Sequence, residues 1–281
     1  MNELAPGAGI VSASDGVRLY AEAHGAGEPV VFSPGYCQTH ENFRPQVAGL
    51  TAAGYRVVLW DYRGHGKSEA PESPAAYSMA QVVDDLGRVL DWAAPGQRAV
   101  VGGLSFGGLA SQHFALAHPE RVSALLLIAS GPGFKNQKAQ SDWEAQIGRI
   151  ADRLERVGFE GYTSGRSAPN AIGLRPELPA AQAAGRAIEA QSARGVALFG
   201  RRVAGPAPST IDRLAEIRVP ALVLVGALDG AYQRAAEVMK AKLPDVQFAL
   251  IPDAGHCVNI EQSEAFDRAV LEFLGSRGRL Q

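Results

Sequence analysis

Six short apolar runs punctuate the chain, at 29–32, 56–60, 98–101, 122–128, 221–225 and 246–251. Runs of that length without polar alternation suit strands covered on both faces, as in a parallel sheet. One earlier segment, Gly16-Val17-Arg18-Leu19-Tyr20-Ala21-Glu22-Ala23, alternates apolar and polar positions instead. That pattern predicts a half-buried antiparallel strand at a sheet edge. Segments with helical spacing lie between the runs; the stretch 78–93 opens on a capping Ser78 and closes before Pro95-Gly96.

Strand and helix therefore alternate, which predicts a doubly wound, mostly parallel α/β sheet with its site beyond the carboxyl ends of the strands. From 133 to 211 the alternation stops and only helical patterning rich in Ala, Arg, Gln and Glu remains. The expected organisation is a core of 1–132 and 212–281 interrupted by a helical cap, 133–211. Cap helices are predicted over 138–157 and 179–203, separated by the Gly/Pro/Ser-rich stretch 161–176. An insertion at strand ends is placed to shape a pocket.

The composition changes this picture only by exclusion. With 281 residues, 46% hydrophobic and 20% charged, the chain has material for one large core. A formal net charge of −2 supplies no basic field, so neither nucleic acid nor an anionic membrane is an expected partner. The segment Met1-Asn2-Glu3-Leu4-Ala5-Pro6-Gly7 has no signal-peptide pattern and no 18-residue apolar stretch occurs, so a soluble cytoplasmic protein is expected. Two cysteines, Cys37 and Cys257, cannot build a disulfide framework and fit a reducing compartment. No zinc-type cluster is present, and neither a metal nor an organic cofactor is implied.

Candidate chemistry centres on Gly103-Leu104-Ser105-Phe106-Gly107, where an apolar strand passes directly into an apolar helix. Glycines on both sides of a serine permit a turn too tight for side chains, lifting the hydroxyl clear of the sheet at a helix N-terminus. Ser33-Pro34-Gly35-Tyr36, the run from Asp61-Tyr62-Arg63-Gly64-His65 to Ser68, and Asp253-Ala254-Gly255-His256 also follow apolar runs. In these motifs, and over almost the whole chain outside the cap, the sequence resembles the α/β-hydrolase superfamily. The resemblance implies an eight-stranded sheet with an inserted all-helical cap.

A serine hydroxyl needs a base, and His256, after the last apolar run, is the best placed of six histidines. His65 is its rival, which the resemblance makes a loop-packing residue; His24, His40, His113 and His118 read as structural. Asp229, just after the run at 221–225, supplies the carboxylate that orients the base, in the chain order Ser, Asp, His. Asp253 is expected to form a turn. Some members of the superfamily carry the acid after the sixth strand, but here that position reads Ile128-Ala129-Ser130-Gly131. The backbone amides of Tyr36 and Phe106 are the expected oxyanion donors. Relatives commonly have His-Gly where this chain has Pro34-Gly35.

The Tyr36 side chain either lines the pocket or sits at its rim, and Phe134 and Trp143 either line it or form cap core. Cys37 and Cys257, beside the oxyanion loop and the histidine, are expected to be inert thiols. The expected activity is that of a serine hydrolase of carboxylesterase or lactonase type (EC 3.1.1). It would cleave a small, partly apolar ester-like substrate through an acyl-serine intermediate. A carbon–carbon bond hydrolase with the same triad is the alternative, although Leu104 stands where such enzymes often have Asn. A small-molecule receptor on the same fold is the alternative of another class. Oligomeric state is not legible in the sequence.

Overall fold

A computed structural model describes residues 7–277. The calls for 1–6 and 278–281 as parts of the core lie outside the described residues. Eight strands, β1 (Ala8–Ser12), β2 (Arg18–His24), β3 (Pro29–Ser33), β4 (Arg56–Trp60), β5 (Ala99–Leu104), β6 (Val122–Ile128), β7 (Ala221–Gly226) and β8 (Val246–Ile251), form one sheet. Their order is β1-β2-β4-β3-β5-β6-β7-β8. Only the β1/β2 and β2/β4 pairs are antiparallel.

Ten α-helices accompany the sheet among the described residues. They are α1 (Gln46–Ala52), α2 (Met79–Ala93), α3 (Phe106–Ala117), α4 (Gln137–Val157), α5 (Ala168–Ala171), α6 (Pro179–Glu189), α7 (Ala193–Phe199), α8 (Gly230–Lys242), α9 (Val258–Glu261) and α10 (Ser263–Ser276). None is long and apolar enough to cross a membrane.

The apolar runs have a direct structural cause. Successive residues of one strand enter different cores: Val30, Val57 and Val100 belong to one cluster, and Val31, Val58 and Val101 to the other. The first cluster is closed by Phe266 and Phe273 of α10, the second by Leu86 and Leu90 of α2 and Phe114 of α3. With both faces covered, the middle positions of β3, β4 and β5 are apolar, whereas β8, expected to be covered in the same way, is the edge strand and leaves Phe248 and Leu250 exposed.

The alternating strand departs from expectation. β2 is not at the edge, because β1 pairs outside it. β1 itself shows little alternation, and Gly9 is needed there because a Cβ would come within 2.7 Å of Trp92. Nor is β2 half-buried: Tyr20 and Glu22 are as enclosed as Leu19 and Ala21. Their polar atoms are satisfied inside, with the Tyr20 hydroxyl donating to Glu22 Oε1 at 2.5 Å and Arg44 donating to Oε2. Polar identity here marks a buried network and not a solvated face.

Between β6 and β7 no strand occurs among the described residues. α4 matches the helix expected at 138–157 to within one residue, and Ser78 caps α2 by accepting from the Gln81 amide. The single helix expected over 179–203 is instead three pieces: α6, α7 and a π-helical turn, Gly200–Ala204. The break at 190–192 arises from side chains that prefer other partners. Ser192 accepts from the Gly195 amide at 3.1 Å. Gln191 reaches into the core, donating to the Cys37 carbonyl at 2.8 Å and accepting from the Gly66 amide at 3.0 Å.

Candidate active site

Ser105 joins β5 to α3 with φ 56° and ψ −117°. A non-glycine residue held there costs roughly 1–3 kcal/mol and persists only where its surroundings impose it. They do so through backbone contacts. The Ser105 amide donates to the Ile128 carbonyl at 2.8 Å, and the Ser130 hydroxyl donates to the Ser105 carbonyl at 2.7 Å. A Cβ on Gly103 or Gly107 would overlap the Ser33 carbonyl oxygen, so both glycines are required by the approach of β3. A Cβ on Gly108 would strike Ser130 at 2.5 Å.

Asp229 and His256 are brought together across the ends of β7 and β8. Gly226, the last residue of β7, lies so close to the carbonyls of Ala254 and Gly255 that a Cβ has no room. Three residues on, Asp229 Oδ2 stands 2.8 Å from His256 Nδ1. A carboxylate there places the ring proton on Nδ1 and leaves Nε2 as the acceptor. The His256 loop is in turn fixed by Glu261, whose buried carboxylate accepts from the Gly255 amide at 2.8 Å and the Cys257 amide at 3.1 Å. Asp253 is exposed with φ 53°, and its carbonyl accepts from Gln262, as suits a turn.

The recorded partner of the Ser105 hydroxyl is a residue that sequence reasoning did not single out. Its Oγ lies 3.0 Å from the Tyr232 hydroxyl oxygen, and the Tyr232 ring packs against the His256 ring at 4.7 Å between centroids, tilted by 34°. Burial pushes the Tyr232 phenol above its ordinary pKa, so it retains its proton. The available signal was position: Tyr232 stands three residues after Asp229, one helical turn along the start of α8. Glu261 carried a similar signal, four residues after Cys257.

Phe106 is the first residue of α3, so its amide has no acceptor within the helix. Tyr36 sits in a turn closed by Gln38, whose amide donates to the Gly35 carbonyl at 3.1 Å while its side chain accepts from the Gly35 amide at 2.9 Å. Pro34 presents its carbonyl to the Tyr62 hydroxyl at 3.0 Å. The Tyr36 ring stacks on Phe199 at 6.4 Å, with its hydroxyl enclosed over Gly200, where a Cβ would collide with it. Phe106 meets Phe199 edge-on at 5.2 Å. Phe134 and Trp143 lie beside each other instead, 6.0 Å apart, and the Trp143 indole donates to the Ala204 carbonyl. Phe134 is 40% exposed and borders a surface groove of about 360 Å³ with Gln140 and Pro208. The aromatic packed against Tyr36, Tyr62 and Phe106 is Phe199, which sequence reasoning did not name, and not Phe134 or Trp143, the two offered either as pocket residues or as cap core.

His65 is fully enclosed among Tyr36, Tyr62 and Phe199, and burial lowers its pKa to about 4. His24 pairs with Glu22, and His113 with the Pro208 carbonyl. Both cysteines are free and buried; the Gln38 amide donates to Cys257 Sγ at 3.4 Å, and burial pushes the Cys37 thiol up to about 12. Among the described residues, Glu22, His40 and Glu41 are the one group with ligand atoms close enough to share a cation. Arg44 already bridges the two carboxylates there.

The family described as serine aminopeptidase, S33, matches residues 26–263. A protein of Bacillus subtilis named "Putative 2-succinyl-6-hydroxy-2,4-cyclohexadiene-1-carboxylate synthase" is 30% identical over 272 residues, spanning 95% of this chain and 98% of its own. The pimeloyl-[acyl-carrier protein] methyl ester esterase of Edwardsiella ictaluri is 30% identical over 276 residues, 92% of this chain and 98% of its own. Among solved structures, a thermophilic esterase from Thermogutta terrifontis superposes with a TM-score of 0.83 at 26% identity, over 96% of this chain and 98% of its own.

Proposed function

The chain belongs to the α/β-hydrolase superfamily, in the family described as serine aminopeptidase, S33, and on that premise we propose that this hydrolase cleaves a small, partly apolar carboxylic ester or lactone. One observation carries the reading: Ser105, with positive φ at the N-terminus of α3, touches Tyr232, whose ring packs on His256, the partner of Asp229.

In the proposed reaction Ser105 Oγ attacks the acyl carbon while His256 Nε2 takes its proton. Asp229 holds the Nδ1 proton and stabilises the imidazolium that forms. Negative charge on the carbonyl oxygen is met by the amides of Phe106 and Tyr36, each such donor being worth about 10²–10³ in rate. Collapse returns the proton to the leaving oxygen, and water activated by His256 then releases the acid. The rings around the elbow, Tyr36, Phe106 and Phe199, make its surroundings apolar, which suits an acyl group better than the charged terminus of a peptide. The segment between β6 and β7, called the cap above, is proposed to select the substrate. The Edwardsiella relative named as a methyl ester esterase and the Thermogutta esterase support an ester over other acyl compounds.

The test is a panel of short-chain aryl and alkyl esters, lactones and thioesters, run beside labelling with a fluorophosphonate. Ser105→Ala should lower turnover by about 10⁴-fold or more and abolish labelling, with the unfolding transition retained. Stoichiometric labelling of another residue in that variant would refute the assignment.

A further inference from the structure

We propose that Tyr232 is a catalytic residue acting on the leaving-group side: its hydroxyl donates a hydrogen bond to the departing oxygen of the substrate. The inference rests on the reading of Ser105 as nucleophile and His256 as base.

Three observations meet in it. The Tyr232 hydroxyl is 3.0 Å from Ser105 Oγ, and its ring lies against the imidazole that must deliver the leaving group's proton. It also approaches from a defined direction. The loop carrying Tyr36 leaves β3, the neighbour of β5 on one side, whereas Tyr232 rises from α8 behind β7, on the other. The Tyr36 loop and the phenol therefore flank Ser105 from opposite directions in the strand order. Finally, a phenol is the stronger donor of the two hydroxyls, and with Tyr232 donating to Oγ the serine proton is left available to His256.

Attack changes what the phenol faces. Once Oγ is bonded to the tetrahedral carbon it becomes a poor, ether-like acceptor. The nearest better acceptor on the same side is the leaving oxygen attached to that carbon. On collapse the bond from carbon to leaving oxygen breaks, its electron pair goes to that oxygen, and the proton held on His256 Nε2 is transferred to it. The carbonyl re-forms from the oxyanion. Tyr232 keeps its proton throughout and stabilises the charge that develops on the leaving oxygen before proton transfer is complete.

The value of such a donor depends on the leaving group. A basic alkoxide needs it, while an acidic phenoxide such as p-nitrophenoxide departs without it. The experiment compares wild type and Tyr232→Phe on one acyl group carried by leaving groups spanning nitrophenols to simple alcohols. Ser105 labelling by a fluorophosphonate and thermal unfolding are followed in parallel. The variant should lose roughly 10²-fold in kcat/KM on alkyl esters and less than about threefold on p-nitrophenyl esters, which steepens the dependence on leaving-group basicity. An equal loss on every ester, the mark of a purely structural tyrosine, overturns the proposal, as does no loss at all. Absence of labelling and turnover in wild type overturns the nucleophile reading and the proposal with it. Labelling with unchanged leaving-group dependence overturns the proposal alone.

Discussion

Two histidines in this molecule are each bound through Nδ1 to an aspartate Oδ2 at 2.8 Å: His256 to Asp229 and His40 to Asp61. The pairs differ in what the second nitrogen meets. Nε2 of His40 lies 3.3 Å from Glu41 and 3.5 Å from Glu22, in a buried network that Arg44 completes. Burial pushes the His40 pKa down, but Asp61, with Glu41 and Glu22, outweighs it and raises the value to about 9. An imidazole that keeps its second proton at neutral pH cannot serve as a base. His256 is paired with one carboxylate, and its ring packs against the uncharged Tyr232 that touches Ser105. A His–Asp hydrogen bond is thus no signature of catalysis by itself; the occupant of the second face decides.

The largest expected effect separates the two pairs. Asp229→Asn should lower turnover by about 10⁴-fold with the unfolding midpoint nearly unchanged, because the imidazole loses its orienting partner. Asp61→Asn should do the reverse, keeping the rate of the folded enzyme but costing about 1–3 kcal/mol of stability, since it removes one of the three carboxylates that hold the buried His40 cation. Denaturant unfolding and steady-state kinetics on both variants check this; matching phenotypes would erase the distinction.

A smaller effect is expected at Glu261, which holds the amides on both sides of His256. Glu261→Gln should reduce kcat by about tenfold by loosening that loop, and Glu261→Asp should recover little because the shorter side chain cannot span both amides.

The smallest effect is a pH dependence. His40 has a folded pKa above its unfolded value of about 6.5, so its contribution is fully present below that pH and is lost as pH rises through about 9. The melting temperature should fall by about 5 °C over this interval, and His40→Gln should flatten the slope. A slope unchanged in that variant would assign the pH dependence to another group.

The strand runs and the elbow were legible because each rests on a local constraint. The middle of a strand covered on both faces favours apolar residues, and a backbone approaching Ser33 admits only glycine at 103 and 107. The segment at 179–203 was not fully legible. Its apolar period is continuous, while its break depends on Gln191 finding Cys37 and Gly66, more than a hundred residues away. β2 misled for a related reason, since Arg44, the cation that makes Glu22 tolerable inside, comes from beyond β2, while Tyr20 and His24 on the strand itself complete its bonding.

By itself the sequence determined the fold class, the serine elbow and the candidate histidine and aspartate, all of which follow from residue type, spacing and chain order. Only the tertiary structure decided that Tyr232 meets Ser105, that Glu261 holds the His256 loop, and that Phe199 takes the place beside the elbow. The Tyr232 and Phe199 contacts join segments far apart along the chain and exist only once the fold has brought those segments together, while Glu261 acts locally, within six residues, on the loop that carries His256.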